Sequence, residues 1–175
     1  MAKVLWFTGI SGAGKSTLSE KLVQILTEHK QAVELLDGNY VRDFFENDLG
    51  FSPEDRKSVT KRIIFAAYLL AKNNVNVVVA NIAPSYEIRD FARQKLGDYY
   101  VQIYLKASIA AVVERDVWGH YEKHKQGKEK NLIGIDDPYQ EPRNPDLILD
   151  TDADTENESF IKLLEHLKPY FSGLP

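Results

Sequence analysis

Two hydrophobic periods take turns along the chain. Residues 3–9, KVLWFTG, are an apolar β-type run that ends in glycine. Within 15–30, Leu18, Leu22, Ile25 and Leu26 recur at helical spacing and predict an amphipathic helix. A second β run covers 32–37, and a short helix is expected over 40–47. Residues 52–74 open with Ser52, Pro53, Glu54 and Asp55, the order of an N-cap, a first-turn proline and first-turn acids, so a helix starts there. The run 75–82, VNVVVANI, is almost continuously apolar and predicts a strand buried on both faces. Helices are expected at 85–96, 108–117 and 156–171, and strands at 99–107 and 146–152.

Five strands alternating with helices predict an α/β fold. Its parallel sheet would carry helices on both faces, joined by right-handed crossovers. Ligands in such sheets bind beyond the carboxyl ends of the strands. That rule puts 9–16, 37–42, 82–89 and about 115–142 on one rim. The last of these is polar, rich in Lys, Gly and Pro, and longer than an ordinary connection, so it is expected to act as a lid.

Composition narrows the function classes. A length of 175 residues, with 43% hydrophobic and 27% charged, suits one domain over 1–175. The net charge of −4 gives no global basic surface, so no nucleic-acid partner is expected. With no cysteine, disulfides and thiolate metal sites are excluded. No apolar run is long enough for a bilayer and no signal peptide opens the chain, so the expected setting is cytoplasmic, with no membrane partner.

The chemistry enters at GISGAGKS, residues 9–16, which match G-x-x-x-x-G-K-[ST] between a strand and a helix. This makes the sheet of P-loop NTPase type. Glycines let the backbone N–H groups turn inward as an anion nest, and the helix N-terminus adds its positive end. Gly9, Ser11, Gly12, Ala13, Gly14, Lys15, Ser16 and Thr17 are the candidate nucleotide-binding positions. Lys15 would reach the β- and γ-phosphates, and the Ser16 hydroxyl would ligate Mg²⁺ beside bound ATP. No N-K-x-D guanine-reading motif is present, and the chain is short for a motor ATPase. A small-molecule kinase remains, against a binding module that senses a nucleotide without turning it over.

A second site needs its own anion receptor. Arg42, Arg56, Lys61, Arg62, Arg89 and Arg93 lie in or beside the rim segments. The planar guanidinium fork suits phosphate and sulfate. His120 and His124, four apart in the lid, share a helical face if that stretch is helical; solvated side chains are the expected reading and a metal site the alternative. Trp6 reads as sheet core, and Trp118 as a lid anchor or subunit contact.

Taken together, GISGAGKST, LDG-x-x-VR, LGFSPEDR, IAP with IRDFAR, ERDVWGHYEK and GIDDPYQEPRNPD resemble the adenylylsulfate kinase family, in order, from about residue 4 to 150. The resemblance implies transfer of the ATP γ-phosphate to the ribose 3′-hydroxyl of adenylylsulfate, with Mg²⁺, in a cytosolic homodimer. It implies that Asp37 serves the metal and the attacking hydroxyl, so that Ser16 and Asp37 are the metal positions. Arg42 and Arg56 would hold the acceptor's anion, Phe51 would stack on its base, and Ile82 would contact it through backbone. Arg115, Lys123 and Lys130 would belong to the lid, with Lys123 close to the chemistry.

Five departures fall around the implied acceptor pocket. Asn39 stands where the family has a second acid, Val59 replaces an asparagine, and Ala83 replaces a serine. Glu122 replaces a lid lysine, and Leu132 replaces an aromatic. They leave open a different nucleotide-linked acceptor. A relative that phosphorylates cytidine diphosphoramidate in capsule biosynthesis is such a case.

Overall fold

The computed structural model describes residues 1–171, 173 and 174. Five parallel strands form one sheet: β1 (Val4–Thr8), β2 (Val33–Asp37), β3 (Asn76–Ala80), β4 (Tyr100–Lys106) and β5 (Leu147–Asp150), ordered β2-β3-β1-β4-β5. Seven helices run between and after them: α1 (Lys15–Glu28), α2 (Gly38–Phe44), α3 (Pro53–Lys72), α4 (Tyr86–Leu96), α5 (Ile109–Arg115), α6 (His120–Lys125) and α7 (Glu156–Leu167). The α/β expectation with a parallel sheet is met.

Side chains alternate across a strand, so each buried strand feeds two cores. In β1, Leu5 and Phe7 join one core, and Val4 and Trp6 the other. The first core takes the α1 stripe of Leu18, Leu22 and Leu26, together with Leu163, Leu164 and Leu167 of α7. The second takes Ile63, Ile64 and Ala67 of α3, and Ile88 and Ala92 of α4. β3 is buried along its whole length between β2 and β1, as its unbroken apolar run requires.

Local chemistry sets most helix starts. The Ser52 hydroxyl accepts the Asp55 N–H at 3.1 Å, with Pro53 at the first helical position. Ser85 and Ser108 cap α4 and α5 in the same way, and Thr155 with Glu158 forms a capping box on α7.

Three helices depart from the expected bounds. α2 starts early because Asp37, the last residue of β2, is its N-cap, and it closes early because Glu46 and Asn47 take φ values of 55°. α5 ends at Arg115, where Asp116 turns to φ 22°. α7 ends at Leu167; Lys168 keeps helical backbone angles, but Pro169 has no N–H to carry the helix on. Among the described residues no helix is long and apolar enough to cross a membrane.

Candidate active site

The carboxyl ends of β1, β2 and β3 open into one cleft of about 760 Å³. Its first wall is the turn between β1 and α1. Gly9 leaves β1 at φ 154°, and a Cβ there would stand 2.6 Å from the Leu105 carbonyl oxygen. Only glycine lets the loop run this close to β4. Gly14 sits at φ 96° as the N-cap of α1 and brings no capping side chain. The first N–H groups of α1 are therefore left to a ligand, which makes an anion receptor at the positive end of the helix. Ser11, Gly12, Gly14, Lys15, Ser16 and Thr17 line the cleft. Gly9 and Ala13 shape the loop from behind, Ala13 being fully buried.

Lys15 is folded back onto the loop. Its Nζ donates to the carbonyl oxygens of Gly9 and Ile10, each at 2.8 Å. Burial brings the ammonium down to about 8 from its ordinary 10.5, and the nearby Asp37 carboxylate opposes that shift. An anionic ligand in the nest would push that value back up.

Asp37 stands across the cleft at the end of β2. Its Oδ1 accepts the N–H of Asn39 at 2.7 Å and of Tyr40 at 3.4 Å. Both bonds fall on the same oxygen. The Asn39 side chain is exposed and also lines the cleft. Among the described residues, no group of three or more His, Cys, Asp or Glu side chains gathers into a metal cage. The Ser16 hydroxyl and the Asp37 carboxylate line the same cleft. That donor set fits Mg²⁺, which takes one or two protein oxygens and completes its shell with water and phosphate.

The second wall is cationic and aromatic. Arg42 is 8% exposed and donates to the carbonyls of Leu49 at 3.0 Å and Gly50 at 2.5 Å. Its guanidinium lies 4.4 Å from the centre of the Phe51 ring. Arg56 approaches the same ring at 5.4 Å and donates to Phe51 O at 2.9 Å and to Asn131 O, in the lid, at 2.7 Å. Burial lowers both guanidinium pKa values from their ordinary range, and for Arg56 the neighbouring Arg42 adds to the effect. Both arginines meet backbone carbonyls, and neither has a carboxylate salt bridge among the described residues. Arg42 is buried and Arg56 half-buried, and the acids that act on them, Asp55, Glu129 and Asp137, do so without a direct ion pair, so the two guanidiniums can receive an anion.

Of the six basic rim residues, only Arg42 and Arg56 line this cleft. Arg62 is paired with Asp48, and Arg93 with Asp146. Lys61 lies over Phe91 in a separate groove. Arg89 is buried and donates to the Ala83 carbonyl at 2.5 Å and to the Gln140 carbonyl.

Val59, Ile82, Ala83 and Leu132 also line the cleft. Ala83 is buried with φ at 43°, and its N–H donates to Asn81 Oδ1 at 3.0 Å. The segment 115–142 reaches the cleft wall through Lys128, Lys130 and Leu132. Trp118 lies in the same wall and is 65% exposed, whereas Trp6 is fully buried between sheet and helices, as expected. Arg115 and Lys123 stand off the wall. Arg115 donates to the Thr151 carbonyl at 2.5 Å, and Lys123 is exposed on α6.

Residues not singled out from sequence hold the site in place. Tyr121 OH donates to the Ser11 carbonyl at 2.8 Å and ties the lid to the phosphate loop. Thr8 Oγ1 donates to Ile82 O at 2.6 Å and lies 2.8 Å from Tyr139 OH. Thr60 Oγ1 reaches Arg56 O and Asn81 Oδ1 at 2.8 and 3.3 Å. Apart from Thr60 to Arg56, one helical turn away, each of these joins segments far apart in the chain.

Known proteins resemble the chain over most of its length. The family described as adenylylsulphate kinase matches residues 1–150. An adenylyl-sulfate kinase of Gloeothece citriformis is 44% identical over 163 residues, 93% of this chain and 92% of that protein. One from Rippkaea orientalis is 43% identical over 164 residues, covering 94% and 90%. Among solved structures, the Mycobacterium tuberculosis APS kinase CysC in complex with AMPPNP and APS has a TM-score of 0.89 at 34% identity, covering 95% of this chain and 98% of that one. With matches of this extent, and with a phosphate nest facing an arginine–phenylalanine receptor across one cleft, the chain belongs to the adenylylsulphate kinase family.

Proposed function

We propose that the protein is an ATP-dependent kinase that transfers the γ-phosphate to the ribose 3′-hydroxyl of adenylylsulfate. One observation carries the reading: a single cleft has an anion nest on one wall and the Arg42–Phe51–Arg56 receptor on the other. Two anionic substrates placed there would meet end to end. Phosphoryl transfer asks mainly for positioning and charge neutralisation. Lys15 and the α1 N-terminus would hold the ATP phosphates. Arg42 and Arg56 would hold the acceptor's phosphosulfate, with Phe51 against its base, a stacking contact worth ~1–3 kcal/mol. Asp37 would orient the attacking hydroxyl and accept its proton, with the exposed Asn39 beside it. Mg²⁺ held by Ser16 and Asp37 would neutralise charge on the phosphates.

Backbone at Ile82 and Ala83, with the Val59 and Leu132 side chains, would complete the acceptor pocket. The segment 115–142 would act as a lid of the single 1–175 domain and exclude water from bound ATP. In this reading Arg115 and Lys123 serve the lid and reach substrate only through its movement. We place the enzyme in the cytoplasm as a homodimer.

One observation favours a second acceptor. Leu132 gives the cleft a buried aliphatic wall, which suits a smaller base than adenine as well as adenine itself. ADP release coupled to NADH oxidation, with adenylylsulfate and then with cytidine-linked acceptors, decides between them. Adenylylsulfate-dependent ADP supports the first reading. Turnover with cytidine acceptors alone supports the second, and no acceptor-dependent ADP sinks the kinase.

A further inference from the structure

The lid helix α6 has six residues and is bracketed by Gly119 at φ 69° and Gly127 at φ 70°. A helix this short does not hold its shape in water by itself. Side-chain ties fix it. At its start the Asp116 carboxylate accepts the N–H groups of Tyr121 at 3.1 Å and Glu122 at 2.9 Å. Tyr121 anchors it to the phosphate loop through Ser11.

The remaining ties are two histidine–carboxylate pairs on one helix face. His120 Nδ1 lies 2.7 and 2.9 Å from the two oxygens of Glu129. His124 Nε2 lies 2.8 and 2.9 Å from those of Asp136. Both side chains were expected to be solvated, and both are paired. Glu129 and Asp136 belong to the stretch that carries Asn131, which receives Arg56, and Leu132, which lines the cleft. The pairs therefore join α6, fastened to the nucleotide wall, to a strap fastened to the acceptor wall.

We propose that His120 and His124 are positioning residues forming a proton-operated clasp: charged imidazoles hold the lid strap against α6 over the cleft, and neutral ones loosen it. Imidazole is the side chain whose charge ordinarily changes between about pH 5 and 8. In the charged state each pair is an ion pair and a hydrogen bond together. In the neutral state one N–H remains, so the clasp weakens without vanishing. Backbone donation from Leu132, and then His124, holds Asp136 below the usual carboxylate range, so it stays anionic throughout. The other charges around His120 are the anion of Asp116, the cation of Arg56 beyond Glu129, and Lys128 and Lys130 in the same wall. Around His124, Asp136 is the facing charge, with Glu122, Lys123 and Lys125 on its own helix.

Hydrogen exchange of amides 119–131 in the substrate-free protein tests the clasp. Protection, corrected for the intrinsic pH dependence of exchange, is expected to be about fivefold higher at pH 6 than at pH 8, the upper range of a part-exposed ion pair. The double variant His120→Gln/His124→Gln keeps donors but no titration, and its protection is expected to be the same at both pH values. Equal protection of the parent at pH 6 and 8 overturns the proposal. So does an unchanged pH dependence in the double variant.

The kinetic arm rests on the phosphotransfer reading. There KM is expected to rise from pH 6 to 8 in the parent and stay flat in the variant, with the kcat profiles alike; a difference confined to kcat overturns a positioning role. The exchange arm needs no turnover. A protein with pH-dependent protection but no activity retains the clasp and loses only the kinase reading. The parent's own exchange at two pH values also decides the matter if the double variant does not fold.

Discussion

The nucleotide wall is written in eight consecutive residues, 9–16, whereas the acceptor wall collects Arg42, Phe51, Arg56, Ala83 and Leu132 from four separate segments. In the first wall the ligand would meet mostly backbone, held by glycines that pass close to β4 and Val112. In the second it would meet side chains held by long-range bonds, such as Arg56 to Asn131 and Arg89 to Gln140. A backbone receptor leaves little room for substitution, since a Cβ at Gly9 would strike a carbonyl. A side-chain receptor keeps its shape while individual contacts change. In the proposed reading, chemistry common to many kinases would sit on the first wall and the choice of acceptor on the second. Of the five departures from the family pattern, Val59, Ala83 and Leu132 lie in the cleft wall, Glu122 lies on α6, and Asn39 stands beside Asp37 between the two walls.

Removing the Lys15 side chain from the proposed nucleotide wall should do most damage. Lys15→Ala is expected to cut ADP release at least ~10²–10³-fold, the loss typical of one preorganised charge donor. At pH 7, below the Lys15 pKa of about 8, the ammonium is charged and the full cost of its burial is present. Its removal should leave Tm at or above the parent's. Normal turnover in this variant would refute the loop assignment, and a large drop in Tm would show that the lysine holds the fold instead.

On the acceptor wall the expected loss is smaller and selective. Arg56→Ala removes a cation that touches both Phe51 and the lid. An increase of about 30-fold in acceptor KM, ~2 kcal/mol, is expected from a lost charge-assisted contact. The KM for ATP should move far less. Equal increases in both constants would break the division into two walls.

The first wall was legible in sequence because its spacing is itself the structure: strand, glycine turn, lysine, helix. The sheet was legible because β3 and β1 carry the apolar runs that burial on two faces demands. The second wall was legible only in part. Six basic residues fell on the rim, but which of them face the cleft depends on partners that sequence does not pair. Asp48 takes Arg62, Asp146 takes Arg93, and Arg42 and Arg56 are left for a ligand. The tie from Tyr121 to Ser11 spans 110 residues, and no local pattern marks it.

Proton traffic tests the nucleotide wall more gently. Between about pH 8 and 10.5 free Lys15 is largely neutral, and phosphate oxygens in the nest would draw a proton onto it. Affinity for ATP should be flat below about pH 7, begin to fall as pH approaches the Lys15 value of about 8, and drop by at most about tenfold per unit above it. Calorimetry at pH 8.5 in two buffers of different ionisation heat should show uptake of roughly half to one proton. No exchange of protons with the buffer would mean that the ammonium does not meet the phosphates.

Asn39→Asp should have the smallest effect and the most to say about the acceptor wall. The Asp37 carboxylate caps the Asn39 backbone N–H, and that bond survives the substitution. The new carboxylate would be exposed, two residues from Asp37 in the first turn of α2, where the helix end favours a negative charge and screening by water keeps the gain small. If the position only places charge near the metal and the hydroxyl, kcat should rise by less than about threefold with acceptor KM unchanged. A loss of tenfold or more, concentrated in acceptor KM, would mean instead that the amide itself contacts the acceptor. Asn39 would then belong with Leu132 and Ala83 as a residue that selects it, and the boundary between the two walls would run between Asp37 and Asn39.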